Sequence, residues 1–138
     1  KLGLMGYLSQ KTKEYNGYIE GVTVDMFDKK KYTPNYIDSL EVETNFYDRK
    51  RKLNDNSDAF LILPGGIGTA DEFFDVLNLA SLGLITKKII VYNKNDCWTD
   101  LLTWIDKAKN MEMLRTIPKN LVIAENIDEI IFALKSYV

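Results

Sequence analysis

The sequence predicts an α/β fold of Rossmann-like type, a three-layer sandwich around a mainly parallel sheet, on three observations. Four short apolar runs are spread along the chain: YIEGVTV (Tyr18–Val24), AFLILP (Ala59–Pro64), KIIVY (Lys88–Tyr92) and LVIA (Leu121–Ala124). Three of them are nearly continuous rather than alternating, as in strands covered on both faces. Between the runs lie stretches with helical spacing, and each connection is long enough for a right-handed crossover.

Taken in order, the chain opens on Gly3-Leu4-Met5-Gly6 and a helix over Leu4–Tyr15, although such domains usually open on a strand. After the first strand, residues 25–40 show no period and carry KKK and a Thr-Pro, which predicts a surface loop with room for a short helical turn. Helices follow over Thr44–Leu53, Thr69–Leu84, Trp98–Lys109 and Ile127–Tyr137, alternating with the strands. There is no internal repeat, low-complexity tract or linker, so residues 1–138 are expected to form a single domain.

A chain of 138 residues, 46% hydrophobic and 28% charged, can bury a core and sits near the soluble globular average. No apolar run approaches the ~20 residues of a membrane span, and the first residues lack the pattern of a secretory signal. A cytoplasmic protein is expected. Cys97 is the only cysteine, which excludes an intramolecular disulfide, and the absence of histidine excludes His-based metal sites and Ser-His or Cys-His catalytic pairs. Carboxylates, lysine, tyrosine and water remain for acid and base chemistry. The net charge of -2 disfavours nucleic acid or an anionic membrane as partner.

The helix from Thr69 carries Asp71, Asp75, Asn78 and Ser81 on one polar stripe, while Phe73, Phe74, Val76, Leu77, Leu79, Ala80 and Leu82 cover the rest. That is more apolar circumference than one sheet face requires, and it predicts burial by a second subunit in a two-fold dimer. Burial within the monomer under the loop 25–40 is the alternative.

Between the second strand and this helix stands Pro64-Gly65-Gly66-Ile67-Gly68-Thr69. The glycines let a ligand approach the backbone, and the first amides and dipole of the helix favour an anion there, beyond the carboxyl end of a strand. Neither a P-loop nor GxGxxG fits. The bland alternative is a capping box, in which Thr69 and Glu72 satisfy the first helical N–H groups. Upstream, NFYDRKRKL (Asn45–Leu53) sets Arg49 and Lys50 beside the face of Phe46 and Leu53, a place suited to holding phosphate or carboxylate. A surface helix whose basic stems only snorkel is the competing explanation.

GLMG (Gly3–Gly6), YDRK (Tyr47–Lys50), PGGIGTADE (Pro64–Glu72), the following FFDVLNLASLGL and YNKNDCWTDLLTWIDKA (Tyr92–Ala108) together resemble the LOG family of cytokinin riboside 5'-monophosphate phosphoribohydrolases, also labelled possible lysine decarboxylases. The resemblance runs over nearly the whole chain. It implies cleavage of the N-glycosidic bond of a nucleoside 5'-monophosphate, AMP or an N6-modified AMP, to free base and ribose 5-phosphate. It assigns catalysis to Arg49 and Glu72, and substrate binding to Met5, Lys50, Gly65, Gly66, Ile67, Gly68, Thr69, Asp71 and Asn78.

The chemistry fits those residue types. Loss of a base from C1' builds an oxocarbenium-like ribose that a carboxylate can stabilise or trap, and an arginine can fix the phosphate or that carboxylate. A decarboxylase would need pyridoxal phosphate on a lysine with further partners, and no such arrangement is visible. No cofactor and no catalytic metal are expected. The sequence departs from the family where Phe46-Tyr47 replace a usual Met-His, and the glycine-rich stretch, first strand and helix that precede GLMG in the family make the chain N-terminally truncated relative to it. A non-catalytic nucleotide or molybdenum-cofactor carrier or sensor on the same fold is the alternative function. Cys97, Trp98 and Trp104 are expected to be packing or surface residues, and Asp55 and Asp58 turn or capping residues.

Overall fold

The computed structural model describes residues 3–27 and 36–136, and the chain divides into two compact units, residues 1–56 and 57–138. Helices and parallel strands alternate in both, the expected α/β pattern.

The first unit contains α1 (Leu4–Glu14), β1 (Glu20–Val24), β2 (Ser39–Glu43) and α2 (Phe46–Asp55). Strands β1 and β2 are parallel, with Glu20 opposite Ser39 and Val24 opposite Glu43, and α2 packs on both. Lys11 and Lys13 lie in the last turn of α1, where the helix dipole favours cations. Lys13 Nζ also donates to Asp38 Oδ1 at 2.6 Å, and the other oxygen of Asp38 accepts the Ile19 amide at 2.8 Å just before β1. These bonds, that from Lys13 foremost, hold the Asp38 carboxyl below its ordinary pKa.

Strand β2 corrects the sequence reading. Ser39 and Leu40 were expected to close a loop over residues 25–40, but they open a strand that continues to Glu43; the remainder of that loop at residues 28–35 lies outside the described residues. SLEVE hides its nature because two of its five residues are glutamates. Its cohesion comes from the ladder with β1 and from Lys52, whose Nζ meets Glu41 Oε2 at 3.0 Å.

The second unit runs β3 (Ala59–Ile62), α3 (Ile67–Ser81), β4 (Lys88–Tyr92), a 3-10 turn (Lys94–Asp96), α4 (Thr99–Asn110), β5 (Leu121–Ala124) and α5 (Ile127–Lys135). The sheet has the order β3-β4-β5 and is parallel throughout. Alternation along the strands builds the three layers. Ile62, Ile89 and Val91 pack with Phe73, Val76 and Leu77 of α3 and with Leu102 and Ile105 of α4, while Ile90 and Ala124 pack with Ile130 and Ala133 of α5. Each large side chain buried here contributes roughly 1.5–3 kcal/mol, which is why these short apolar runs form strands at all.

Helix α3 stops at Ser81 rather than at the expected Leu84, because Gly83 takes a left-handed φ of 72°. The Leu84 amide then donates to Leu79 O at 2.9 Å and the Gly83 amide to Ala80 O at 3.0 Å, closing the helix in a Schellman motif. Among the described residues no helix is long and apolar enough to cross a membrane.

Candidate functional site

The site is built from the carboxyl end of β3. After Ile62 the chain leaves the sheet through Leu63 and Pro64, and α3 begins at Ile67 with Gly66 as its extended N-cap, φ -94° and ψ -156°. The first intrahelical bond runs from the Ala70 amide to Gly66 O at 3.1 Å. The amides of Ile67, Gly68 and Thr69 therefore precede the helical ladder, and Gly66 has no side chain with which to cap them.

This overturns the capping-box alternative. The helix starts two residues before Thr69, so Thr69 is its third residue and cannot serve as its N-cap. Its side chain leans on Gly65 instead: a β-carbon at Gly65 would overlap the Thr69 Cβ and Oγ1. At Gly66 and Gly68 nothing lies within 4 Å of where a β-carbon would stand. One glycine thus admits Thr69, and the other two border open space.

Of the other residues singled out in this unit, Ile67 is 90% exposed, Asp71 is exposed and Glu72 is half-buried in the second turn of α3. The rise of a helix sets Glu72 about 7–8 Å and Asn78 about 16 Å along the axis from Ile67. Asn78 lines an apolar cleft of about 120 Å³ with Phe74, Leu77, Trp104, Ile105 and Ile117. Trp104 meets the Phe74 ring edge-on at 6.0 Å, and Trp98 is buried in the core, so both pack as expected. The Trp98 Nε1 has no acceptor among the described residues. The Cys97 thiol is exposed.

Asn93 is not among the residues that the sequence analysis singles out. Only 8% exposed, it follows β4, accepts the Trp98 amide on Oδ1 at 2.7 Å and donates from Nδ2 to Thr99 Oγ1 at 2.9 Å. It fixes the turn before α4, and its only sequence signal was an amide residue just past a strand.

Met5, Arg49 and Lys50 belong to the first unit. Met5 is 60% exposed on α1. Helix α2 is opened by Asn45, which accepts the Asp48 amide at 2.9 Å and donates to Asp48 Oδ2 at 2.7 Å. The four successive cations then divide. Arg49 and Lys50 are half-buried, and Arg49 Nε donates to Val22 O of β1 at 3.0 Å. Arg51 is exposed and meets Asp48 at 3.4 Å, while the hydrogen bond from Lys52 to Glu41 raises the lysine pKa.

Residues 5–134 match the family described as possible lysine decarboxylase. The chain is 30% identical over 138 residues to a cytokinin riboside 5'-monophosphate phosphoribohydrolase of Rhodococcoides fascians, covering 99% of this chain and 70% of that protein. A protein of the same name from Arabidopsis thaliana is 30% identical over 137 residues, 99% of this chain and 60% of its own length. One from Mycobacterium marinum is 30% identical over 126 residues, 91% of this chain and 67% of its own length.

Proposed function

This chain belongs to the possible lysine decarboxylase family, the LOG family, and from that premise we propose that it hydrolyses the N-glycosidic bond of a nucleoside 5'-monophosphate, AMP or an N6-modified AMP. The products are the free base and ribose 5-phosphate. The observation that carries the reading is the start of α3, where glycine replaces a capping side chain and open space borders Gly66 and Gly68. Amides at such an end, with the positive pole of the helix dipole behind them, suit a 5'-phosphate.

Glu72 is the carboxylate that stabilises positive charge at C1' as the base departs, or that orients the water adding there. Arg49 is its catalytic partner by resemblance, and the tie of its Nε to Val22 O sets the direction of the guanidinium. Met5, Lys50, Gly65, Ile67, Thr69, Asp71 and Asn78 complete the substrate contacts on the same ground. Residues 1–138 are proposed to act as one cytoplasmic domain. A homodimer is proposed as well, since Leu82 stays 64% exposed and Phe74 and Leu79 only half-buried.

Incubation with AMP followed by chromatography tests the reading. Free adenine is expected from the wild-type protein, and Glu72→Ala should lower its release by at least about a thousandfold while AMP binding remains. Unchanged turnover in Glu72→Ala would reject the role of that carboxylate. Tight AMP binding without any adenine from the wild type would instead point to a carrier.

A further inference from the structure

We propose that Lys52 and Glu41 are positioning residues for the reaction: together they clamp α2 to the rung of the β1–β2 ladder that also holds Arg49, and so fix where the Arg49 guanidinium stands; this rests on the catalytic part given to Arg49 above. Val22 of β1 and Glu41 of β2 are opposite each other in the parallel register. Arg49 Nε donates to Val22 O at 3.0 Å, and Lys52 Nζ meets Glu41 Oε2 at 3.0 Å. The two cations are three residues apart and so lie on one face of the helix. Arg49 thus ties α2 to β1, and Lys52 ties it to β2 at the same level. Ties to two different strands fix how the helix is turned over the ladder, which one tie would not.

Apolar packing does little of this work. No side chain of α2 is buried. Leu53 is half-buried, and Phe46 is 46% exposed with its ring edge-on to Phe27 at 5.9 Å. The neighbouring cation Arg51 meets Asp48 of its own helix. With so little apolar area under α2, the polar ties to the strands carry a larger share of its placement.

The Lys52–Glu41 pair is itself half-exposed, and such a pair adds little to stability. Its effect falls instead on the catalytic group one helical turn away, where a misplacement of about 1 Å already costs rate.

Adenine release from AMP by the full chain, measured together with the exchange of the Arg49 Nε proton by 15N NMR, tests the proposal. Lys52→Met should lower kcat about fivefold with KM for AMP unchanged, and should speed the Nε–H exchange by a similar factor. Glu41→Gln should do the same, Lys52→Arg should restore both readouts, and melting temperatures should stay close to that of the wild type. If Arg49→Ala abolishes release while Lys52→Met and Glu41→Gln leave kcat and the exchange unchanged, the clamp plays no part and the proposal falls while the proposed function stands. A lower kcat with unchanged Nε–H exchange also overturns it, since the pair then acts on something other than Arg49. If the wild type releases no adenine, or Arg49→Ala releases it normally, the catalytic part of Arg49 fails and the proposal falls with it.

Discussion

Helix α5 opens on Asn126, which accepts the Glu129 amide at 3.0 Å and donates to the Glu129 carboxylate at 2.7 Å, while that carboxylate accepts the Glu125 amide at 2.7 Å. Helix α3 of the same unit opens on Gly66, with no capping side chain and no acid in its first turn. The first unit repeats the contrast. Helix α2 is closed by Asn45 and Asp48, whereas α1 starts at Gly3 with neither a side-chain cap nor an early acid. An asparagine cap is therefore within this sequence's means, and it serves where a helix end only needs closing. It is missing from α1 and α3, which begin in GLMG and PGGIGT, and from α4, whose cap position is Trp98 but which carries Asp100 in its first turn; only α1 and α3 have neither a cap nor an early acid.

The largest effect should come from closing α3 as α5 is closed. Gly66→Asp places a favoured capping residue on an extended backbone, so thermal stability should hold or rise by a few tenths of a kcal/mol. Nucleotide binding should nevertheless fall by about a hundredfold or more, since the carboxylate occupies the amides and repels phosphate. Binding that survives a stabilised Gly66→Asp would break the comparison. Gly65→Ala should act in a different way, through packing against Thr69, and cost about 1–3 kcal/mol in denaturant unfolding. Opening α5 is the converse experiment. Asn126→Ala should cost about 1 kcal/mol in the same assay and leave AMP turnover unchanged.

The smallest expected effect lies at Asp38. Its folded pKa is depressed by Lys13 and the Ile19 amide, so its contribution is present above the ordinary aspartate value of 3.8 and is lost as pH falls through the lower folded value. Melting temperatures of wild type and Asp38→Asn should differ near neutrality and converge in acid. A constant gap down to the acid limb would show that the carboxylate charge is irrelevant there.

The same contrast explains what could be read in the sequence. KIIVY and LVIA are bounded correctly because each is a continuous apolar run; the centre of KIIVY is buried between two layers, while LVIA on the edge strand buries Ala124 and leaves Ile123 half exposed. SLEVE escaped because a half-exposed strand held by its ladder and by Lys52 leaves no such run. The sequence sets the start of α3 two residues late because Thr69-x-x-Glu72 imitates a capping box, whereas Gly66 takes the cap position in the fold. Arg49 was legible as a cation beside an apolar face, but its bond to Val22 O spans 27 residues and has no local signature. Asn93 was invisible for the same reason, since its role depends on the turn it folds.

The most direct test follows the backbone amide resonances of the 15N-labelled protein during titration with AMP. The account expects the signals of Ile67, Gly68 and Thr69 to move first and furthest, with those of the Asn126-capped start of α5 unmoved. Saturable binding that leaves residues 67–69 unshifted would contradict it.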